Sequence, residues 1–308
     1  MRRIQFFFVA WLLGMQLYAQ TYDELITRAM DAIEKDSLYQ AEGYLKKALQ
    51  LEPANMRNAL LFSNLGTVQR RMGRKKEALE SYSLALNLTP YSITMLLNRA
   101  SLYLELDYLD KAYVDYCNVI DLDAKNTDAL QFRAYIYMRR RQYQEAKNDY
   151  QSLLEVLPDD KTARIGIAMV NQKMQRFREA LEEFNRLIVD YPKDASLLKA
   201  RAELEIDLNT LDMALLDLEN AVRLTPNDAE LYVMCGEIYL EQGRKREAYV
   251  AFEKAIELGV PRPELQEQLK ASKHNSRPHR NDDCRAHLQH QCLLPLPFRL
   301  QAALLYKK

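Results

Sequence analysis

Apolar residues recur along most of this chain at a fixed spacing. From Ala78 onward one alanine follows another every 34 residues, and the first interval, from Ala41 to Ala78, is 37 residues. A large side chain usually stands four residues after each alanine, with a smaller apolar residue three positions further on. A period of about 20 to 50 residues is the signature of a stacked array of repeats. The seven alanines are Ala41, Ala78, Ala112, Ala146, Ala180, Ala214 and Ala248.

Each period divides into two amphipathic halves. A second small residue stands twelve positions before each alanine, as Gly66 does before Ala78, and a polar turn such as Met72-Gly73-Arg74 separates the halves. Apolar positions three and four apart on either side of the turn predict two helices that pack closely at the small residues. Proline lacks an N–H and disfavours helix in the residue before it, so it stops the second helix. It stands at Pro53, Pro90, Pro158, Pro192 and Pro226.

These residues resemble the tetratricopeptide repeat (TPR) family. The family pattern is a small residue, then A-x3-F/Y-x2-A, then proline, and the tryptophan often found early in each repeat is absent here. The resemblance covers residues 22–260. It implies an all-α fold, a right-handed α-solenoid of seven antiparallel helix pairs (a TPR superhelix) whose first helices line a concave groove. The clearest matches are Gly66…Ala78-x3-Tyr82-x2-Ala85…Pro90 and Gly236-x2-Tyr239…Ala248-x3-Phe252-x2-Ala255.

The first 19 residues have the pattern of a secretory signal peptide. Arg2 and Arg3 precede an almost wholly apolar run from Ile4 to Leu17, and Ala19 is a small residue suited to cleavage. An uncleaved anchor is the alternative, but the run is short for a transmembrane helix, which needs about 20 apolar residues. No other segment is apolar enough to span a membrane. We therefore expect a protein exported to the periplasm or secreted.

The charge balance argues against one class of partner. The chain carries 43 basic and 43 acidic side chains, and loss of Arg2 and Arg3 with the signal leaves 41 against 43, a net charge of −2. Binding of nucleic acid needs a basic face. We therefore expect no nucleic-acid partner, and no stable membrane span after signal removal.

The period ends before the C-terminus. The array is expected over residues 20–260, and Leu265 and Leu269 predict a capping helix within residues 261–272 that covers the last repeat. Residues 273–308 follow no period and are expected to be irregular or disordered. A zinc site, a Cys284–Cys292 disulfide and a shifted reading frame remain alternatives for this tail, although the ligand spacing matches no structural zinc site. The ligand-type residues there are His279, Cys284, His287, His290 and Cys292.

No set of catalytic residues emerges from the chain. The repeats contain no histidine that could act as a base at neutral pH, and no nucleophile elbow. Glycines such as Gly73 and Gly166 lie at helix turns and helix contacts rather than in a phosphate-binding loop. We therefore expect no enzyme activity, no cofactor and no metal site.

The resemblance implies that one face of the first helices binds the ligand. Along this face, basic and polar positions give way to aromatic and methionine positions, and then to acidic ones. Phe132, Tyr135, Met138 and Met169 are the expected contact centre, because methionine and aromatic side chains adapt to peptide ligands. The alternative is that some of them pack between repeats. The full predicted set is Asn64, Arg71, Asn98, Phe132, Tyr135, Met138, Arg139, Met169, Lys173 and Glu203.

Together these features predict a non-catalytic scaffold or adaptor that binds a protein or peptide ligand in its groove. The alternative is a regulatory or substrate-holding subunit of an enzyme complex whose catalytic chain is separate. A third hypothesis is self-association through the ends of the solenoid. The fold does not name the partner.

Overall fold

A computed structural model describes residues 21–273 of the chain. Within that range it contains fifteen α-helices, one 3₁₀ helix and no strand. This all-helical architecture is the one that the sequence predicts. The helices are α1 (Tyr22–Glu34), α2 (Leu38–Leu51), α3 (Asn58–Arg71), α4 (Lys75–Leu88), α5 (Ile93–Glu105), α6 (Leu109–Leu122), α7 (Thr127–Arg139), α8 (Tyr143–Val156), α9 (Lys161–Lys173), α10 (Phe177–Asp190), α11 (Ala195–Asp207), α12 (Leu211–Leu224), α13 (Ala229–Glu241), α14 (Lys245–Glu257) and α15 (Gln266–Ser272), with the 3₁₀ helix at Arg262–Leu265.

The described residues form two compact units, which divide between Val170 and Asn171. Within the first unit α1 packs on α2, α3 on α4, α5 on α6 and α7 on α8, and each pair also contacts the next. Within the second unit α11 packs on α12 and α13 on α14 in the same way. Packing that is confined to neighbours along the chain defines an α-solenoid.

A residue with left-handed backbone ends the first helix of each pair. After α1, for example, Asp36 has φ 56°, its N–H donates to the Ile33 carbonyl, and the Ser37 N–H donates to the Ala32 carbonyl at 2.7 Å. These two hydrogen bonds form the Schellman motif, which satisfies carbonyls that the helix end leaves unpaired. The polar turns seen in the sequence therefore share one geometry. The left-handed residues are Asp36, Gly73, Asp107, Arg141, Gln175, Asn209 and Gly243, with φ between 56° and 79°.

The second helices end where the prolines predict. Helix α2 ends at Leu51, two residues before Pro53, and α4 ends at Leu88, two residues before Pro90. Because proline disfavours helical backbone in the residue before it, each helix stops one residue short of that position.

The small residues of the period lie in the core, against large side chains. The alanines of the series are fully buried, and Tyr82, Tyr116 and Phe252 are almost fully buried. At two glycines the neighbouring ring leaves no room for a side chain. A methyl group at Gly66 would come within 2.8 Å of the Tyr82 ring, and one at Gly236 within 2.5 Å of the Phe252 ring. These positions therefore set how tightly the two helices of a pair pack.

The array is followed by a short helical segment. It begins as a 3₁₀ turn at Arg262–Leu265, which contains Pro263, and becomes α-helical at Gln266. Leu265 and Leu269 are buried against Ala248, Phe252 and Ala255 of α14, and so cover that helix. The expected signal peptide, residues 1–19, lies outside the described residues, and so does the expected irregular tail except for Lys273. No helix within residues 21–273 is long and apolar enough to cross a membrane.

Candidate partner-binding surface

Two large apolar side chains of the predicted contact centre remain exposed. Tyr135 on α7 is 43% exposed and Met169 on α9 is 42% exposed. They stand 34 residues apart, at the same position of successive repeats, where earlier repeats carry Thr67 and Ser101. Because exposed apolar side chains in register often mark interfaces, this part of the first-helix face is a candidate contact surface.

Arg139 lies one helical turn beyond Tyr135 and contacts it. Its Nη1 donates a hydrogen bond to the Tyr135 hydroxyl at 2.9 Å, and its guanidinium lies 5.9 Å from the centre of the ring. Its Nη2 also donates to Asp107 at 3.3 Å. Two residues of the predicted set therefore belong to one hydrogen-bonded group, which fixes the direction of the Tyr135 hydroxyl.

Phe132 and Met138 lie on the same helix but are half-buried. The Phe132 ring stacks on Tyr116 with ring centres 5.7 Å apart, and it packs against the core around α5 and α6. Phe132 therefore contributes to packing between repeats, the alternative that the sequence left open. Tyr135 and Met169 present the open apolar surface.

Asn64 lines an apolar cleft at the start of the first unit. The cleft has a volume of about 240 Å³ and opens to solvent. Its walls come from α1, α3, the start of α5 and the loops before α3 and α5. Met56, in the loop before α3, is 78% exposed. The sequence did not predict this cleft. The lining residues are Ile26, Met30, Met56, Arg57, Ala59, Leu60, Leu61, Asn64, Thr89 and Met95.

Ion pairs tie the two ends of α3 to the first repeat. Arg57, just before α3, donates to Asp23 at 2.6 Å, and Arg71, its last residue, donates to Asp36 at 2.7 Å. The predicted groove residue Arg71 therefore has a structural partner already. Since both pairs are exposed, their contribution to stability is small.

In the middle of the first unit, the carboxylate of Glu105 forms ion pairs with two basic side chains. Asn98 is half-buried on α5, and Glu105, at the end of that helix, binds both Arg70 and Lys75. Burial acts to raise the pKa of Glu105, but the hydrogen bonds from Arg70 and Lys75 outweigh it and hold the pKa below its usual value. The basic character that the sequence suggests for this region is therefore largely neutralised.

The remaining predicted residues lie in the second unit. Lys173 at the end of α9 and Glu203 on α11 are both exposed. Burial of part of its carboxyl raises the pKa of Glu203, an effect that Lys199 opposes and Glu230 reinforces. Lys199 itself pairs with Glu230 at 2.5 Å. The Glu203 carboxyl therefore lies near both a cation and a second carboxylate.

Three largely buried arginine–aspartate pairs brace the repeats, and they were not among the residues predicted from the sequence. In each, an arginine on a first helix donates two hydrogen bonds of 2.6–2.8 Å to an aspartate on the second helix of the same repeat. The same guanidinium contacts Ser83, Cys117 or Asn185 on the preceding second helix. The signal was present, because the arginine stands one residue before the small residue and the aspartate three after the alanine. The pairs are Arg99–Asp115, Arg133–Asp149 and Arg201–Asp217.

Comparison with known proteins identifies the class to which this architecture belongs. Sequence profiles described as tetratricopeptide repeat match residues 60–92, 93–126, 137–204 and 229–258. The crystal structure of a tetratricopeptide repeat protein from Parabacteroides merdae ATCC 43184 is 37% identical, covers 82% of this chain and 99% of its own, and superposes with a TM-score of 0.69. The chain therefore belongs to the tetratricopeptide repeat family, as its residues predict.

Curated relatives are similar over one short stretch each. The mitochondrial import receptor subunit TOM34 of Pongo abelii is 37% identical over 73 residues, which is 24% of this chain and 24% of TOM34. The UDP-N-acetylglucosamine–peptide N-acetylglucosaminyltransferase of Giardia intestinalis is 38% identical over 68 residues, 22% of this chain and 5% of the enzyme. The chain thus spans about a quarter or less of these relatives.

Proposed function

We propose that this chain is a non-catalytic scaffold or adaptor whose seven repeats bind a peptide or partner domain along the first-helix face. The main support is that Tyr135 and Met169, which occupy the same position in successive repeats, are both exposed to solvent. Aromatic and methionine side chains are enriched in protein interfaces, where they give large apolar contact areas. Membership of the TPR family supports a role in protein interaction generally.

The position of Met30 in the first repeat is a further observation that supports binding of an extended peptide. Met30 stands at the same repeat position as Tyr135 and Met169, and it lines the apolar cleft beside Asn64. Three repeats of the first unit therefore offer an apolar side chain at this position. An extended peptide that follows the first helices would dock its apolar side chains there, while side-chain amides such as Asn64 bind its backbone.

Site-specific photo-crosslinking tests this proposal. A photo-reactive residue at position 169, in the full-length chain and in its own cells, should capture a partner that mass spectrometry identifies. The control is the same residue at Tyr39, which is 82% exposed on the second helix α2. Capture at position 169 but not at position 39 supports binding on the first-helix face, and equal capture at both positions contradicts it.

The rival proposal is a regulatory or substrate-holding subunit of an enzyme complex. The supporting observation is the short similarity to a glycosyltransferase. The same crosslinking distinguishes the two, because an enzyme among the captured proteins favours the rival. Capture of further copies of this chain alone favours self-association through the ends of the array.

We also propose that the protein is exported, on the basis of its basic and apolar leader. Mass spectrometry of the protein purified from its own cells gives the mature N-terminus. A mature chain that begins at Gln20 supports export with cleavage after Ala19, whereas a chain that retains residues 1–19 contradicts cleavage.

A further inference from the structure

Glu205 stands at a repeat position that holds tyrosine in three other repeats and Ala32, Gln69 and Asn171 in the remaining ones. It lies on α11, a multiple of 34 residues along the sequence from each of Tyr103, Tyr137 and Tyr239. In α5 and α7 this tyrosine lies beside the bracing arginine: Arg99 is 5.8 Å from the centre of Tyr103, and Arg133 is 5.7 Å from that of Tyr137. At the corresponding place in α11 the structure has a carboxyl group instead of an aromatic ring.

The carboxyl group of Glu205 has no cation of its own. Its residue is 7% exposed, and its Oε2 atom is buried without a hydrogen-bond partner among the described residues. The nearby Arg201 gives Nε and Nη2 to Asp217, each at 2.6 Å, and Nη1 to Asn185 at 2.6 Å. All three guanidinium nitrogens of Arg201 thus donate to Asp217 or Asn185. The carboxyl groups of Glu205 and Asp217, both buried, therefore have a single cation, Arg201, between them.

The surroundings favour the protonated form of Glu205. Burial raises the pKa of Glu205 to about 7, the Asp217 carboxylate adds to the rise, and Arg201 opposes it. Helix α10 contributes the uncharged Asn185. Helix α13 contributes Cys235 to the same core, and burial raises the pKa of that thiol to about 12, so it stays neutral. Asp217 and Arg201 are therefore the charged groups that act on Glu205.

Glu205 also anchors the turn between α11 and α12 through its backbone. Its carbonyl accepts hydrogen bonds from the Thr210 N–H at 2.8 Å and from the Thr210 hydroxyl at 3.0 Å. A displacement of Glu205 that includes its backbone would weaken both bonds. This backbone is the connection through which movement of the side chain would reach the helix pair.

We propose that Glu205 is a proton-operated switch: when it ionises, the α11–α12 pair opens more readily. An ionised Glu205 puts a second negative charge beside Asp217 in a buried place, and it relaxes only by moving toward water. Its folded pKa lies above the unfolded value of about 4.3. The extra stability is therefore fully present below that value and is lost as the pH rises through about 7.

Hydrogen exchange of the full-length chain tests the switch. We expect protection factors of the amides in α11 and α12, corrected for intrinsic exchange, to fall on the order of 50- to 100-fold from pH 5 to pH 8. Glu205→Gln should remove most of this fall, because it keeps the shape and never ionises; the raised pKa of Glu203 on the same helix contributes the smaller remainder. Glu241→Gln, which removes an exposed carboxylate from α13, should leave the fall unchanged.

The result that overturns the switch is a fall of undiminished size in Glu205→Gln, or constant protection of the wild-type pair between pH 5 and pH 8. A second measurement needs no variant. In wild-type protein the ¹³C resonance of the Glu205 carboxyl should titrate near pH 7. Titration close to its unfolded value of about 4.3 contradicts the proposal.

Discussion

Arg133 and Asp149 form a two-point ion pair inside the fourth helix pair of the array. The Arg133 Nε donates to Asp149 Oδ2 at 2.8 Å and its Nη2 donates to Oδ1 at 2.7 Å. The third arm, Nη1, reaches the Cys117 sulfur at 3.7 Å on the preceding second helix. One arginine therefore joins both helices of its repeat to the repeat before it.

We expect Asp149→Asn to destabilise the protein by about 2–4 kcal/mol, because it leaves a largely buried guanidinium without its counter-charge. Urea unfolding followed by circular dichroism measures this. The matched control is Asp23→Asn, which breaks the exposed pair with Arg57 in the same unit and should change the midpoint little. An equal loss of unfolding free energy in both variants would show that the buried pair stabilises the protein no more than the exposed one.

Gly66→Ala should destabilise the first unit by about 1–3 kcal/mol, because the added methyl overlaps a packed ring. It would lie 2.8 Å from the Tyr82 ring, whose hydroxyl is held 3.0 Å from the Thr67 hydroxyl. Gly43→Ala is the control, since a methyl there meets no atom within 4 Å. In the middle of α2 it should raise stability by about 0.5–1 kcal/mol. A Gly66→Ala variant as stable as wild type would contradict tight packing at this contact.

Two equivalent tyrosines differ in one hydrogen bond. The Tyr116 hydroxyl is buried with no partner among the described residues, and burial raises its pKa, whereas the Tyr82 hydroxyl is bonded to Thr67. Because an unsatisfied buried hydroxyl costs about 1–3 kcal/mol, Tyr116→Phe should raise stability and Tyr82→Phe should lower it slightly. Thermal melting of the two variants checks the opposite signs, and a loss in Tyr116→Phe would point to a partner for that hydroxyl.

Arg141 is held in left-handed backbone with φ 58° in the turn between α7 and α8. This conformation costs a residue with a Cβ atom about 1–2 kcal/mol, and glycine avoids that cost. We therefore expect Arg141→Gly to raise the melting temperature. Arg141→Ala, which removes the same side chain but keeps the Cβ, should not. A rise in both variants would assign the effect to the loss of the charge instead.

The repeat period predicted the helices because small, large and proline residues act through local packing and backbone geometry, as at Ala78, Tyr82 and Pro90. The Arg133–Asp149 pair was not predicted, since charged residues on helices are usually exposed and only the structure shows that this aspartate is buried. The cleft around Met30, Met56 and Met95 was also missed. Its walls come from distant parts of the sequence whose juxtaposition no local pattern encodes.

If Tyr135 and Met169 form the contact surface for a partner, their removal must weaken its binding. The test is the affinity of the crosslinked partner for the purified chain, compared between wild type, the double variant Tyr135→Ala with Met169→Ala, and Tyr39→Ala. We expect the double variant to bind at least about tenfold more weakly, as loss of interface anchors does, with its melting temperature unchanged and with Tyr39→Ala binding like wild type. Wild-type affinity in the double variant, or a weakening matched by Tyr39→Ala, would contradict the claim.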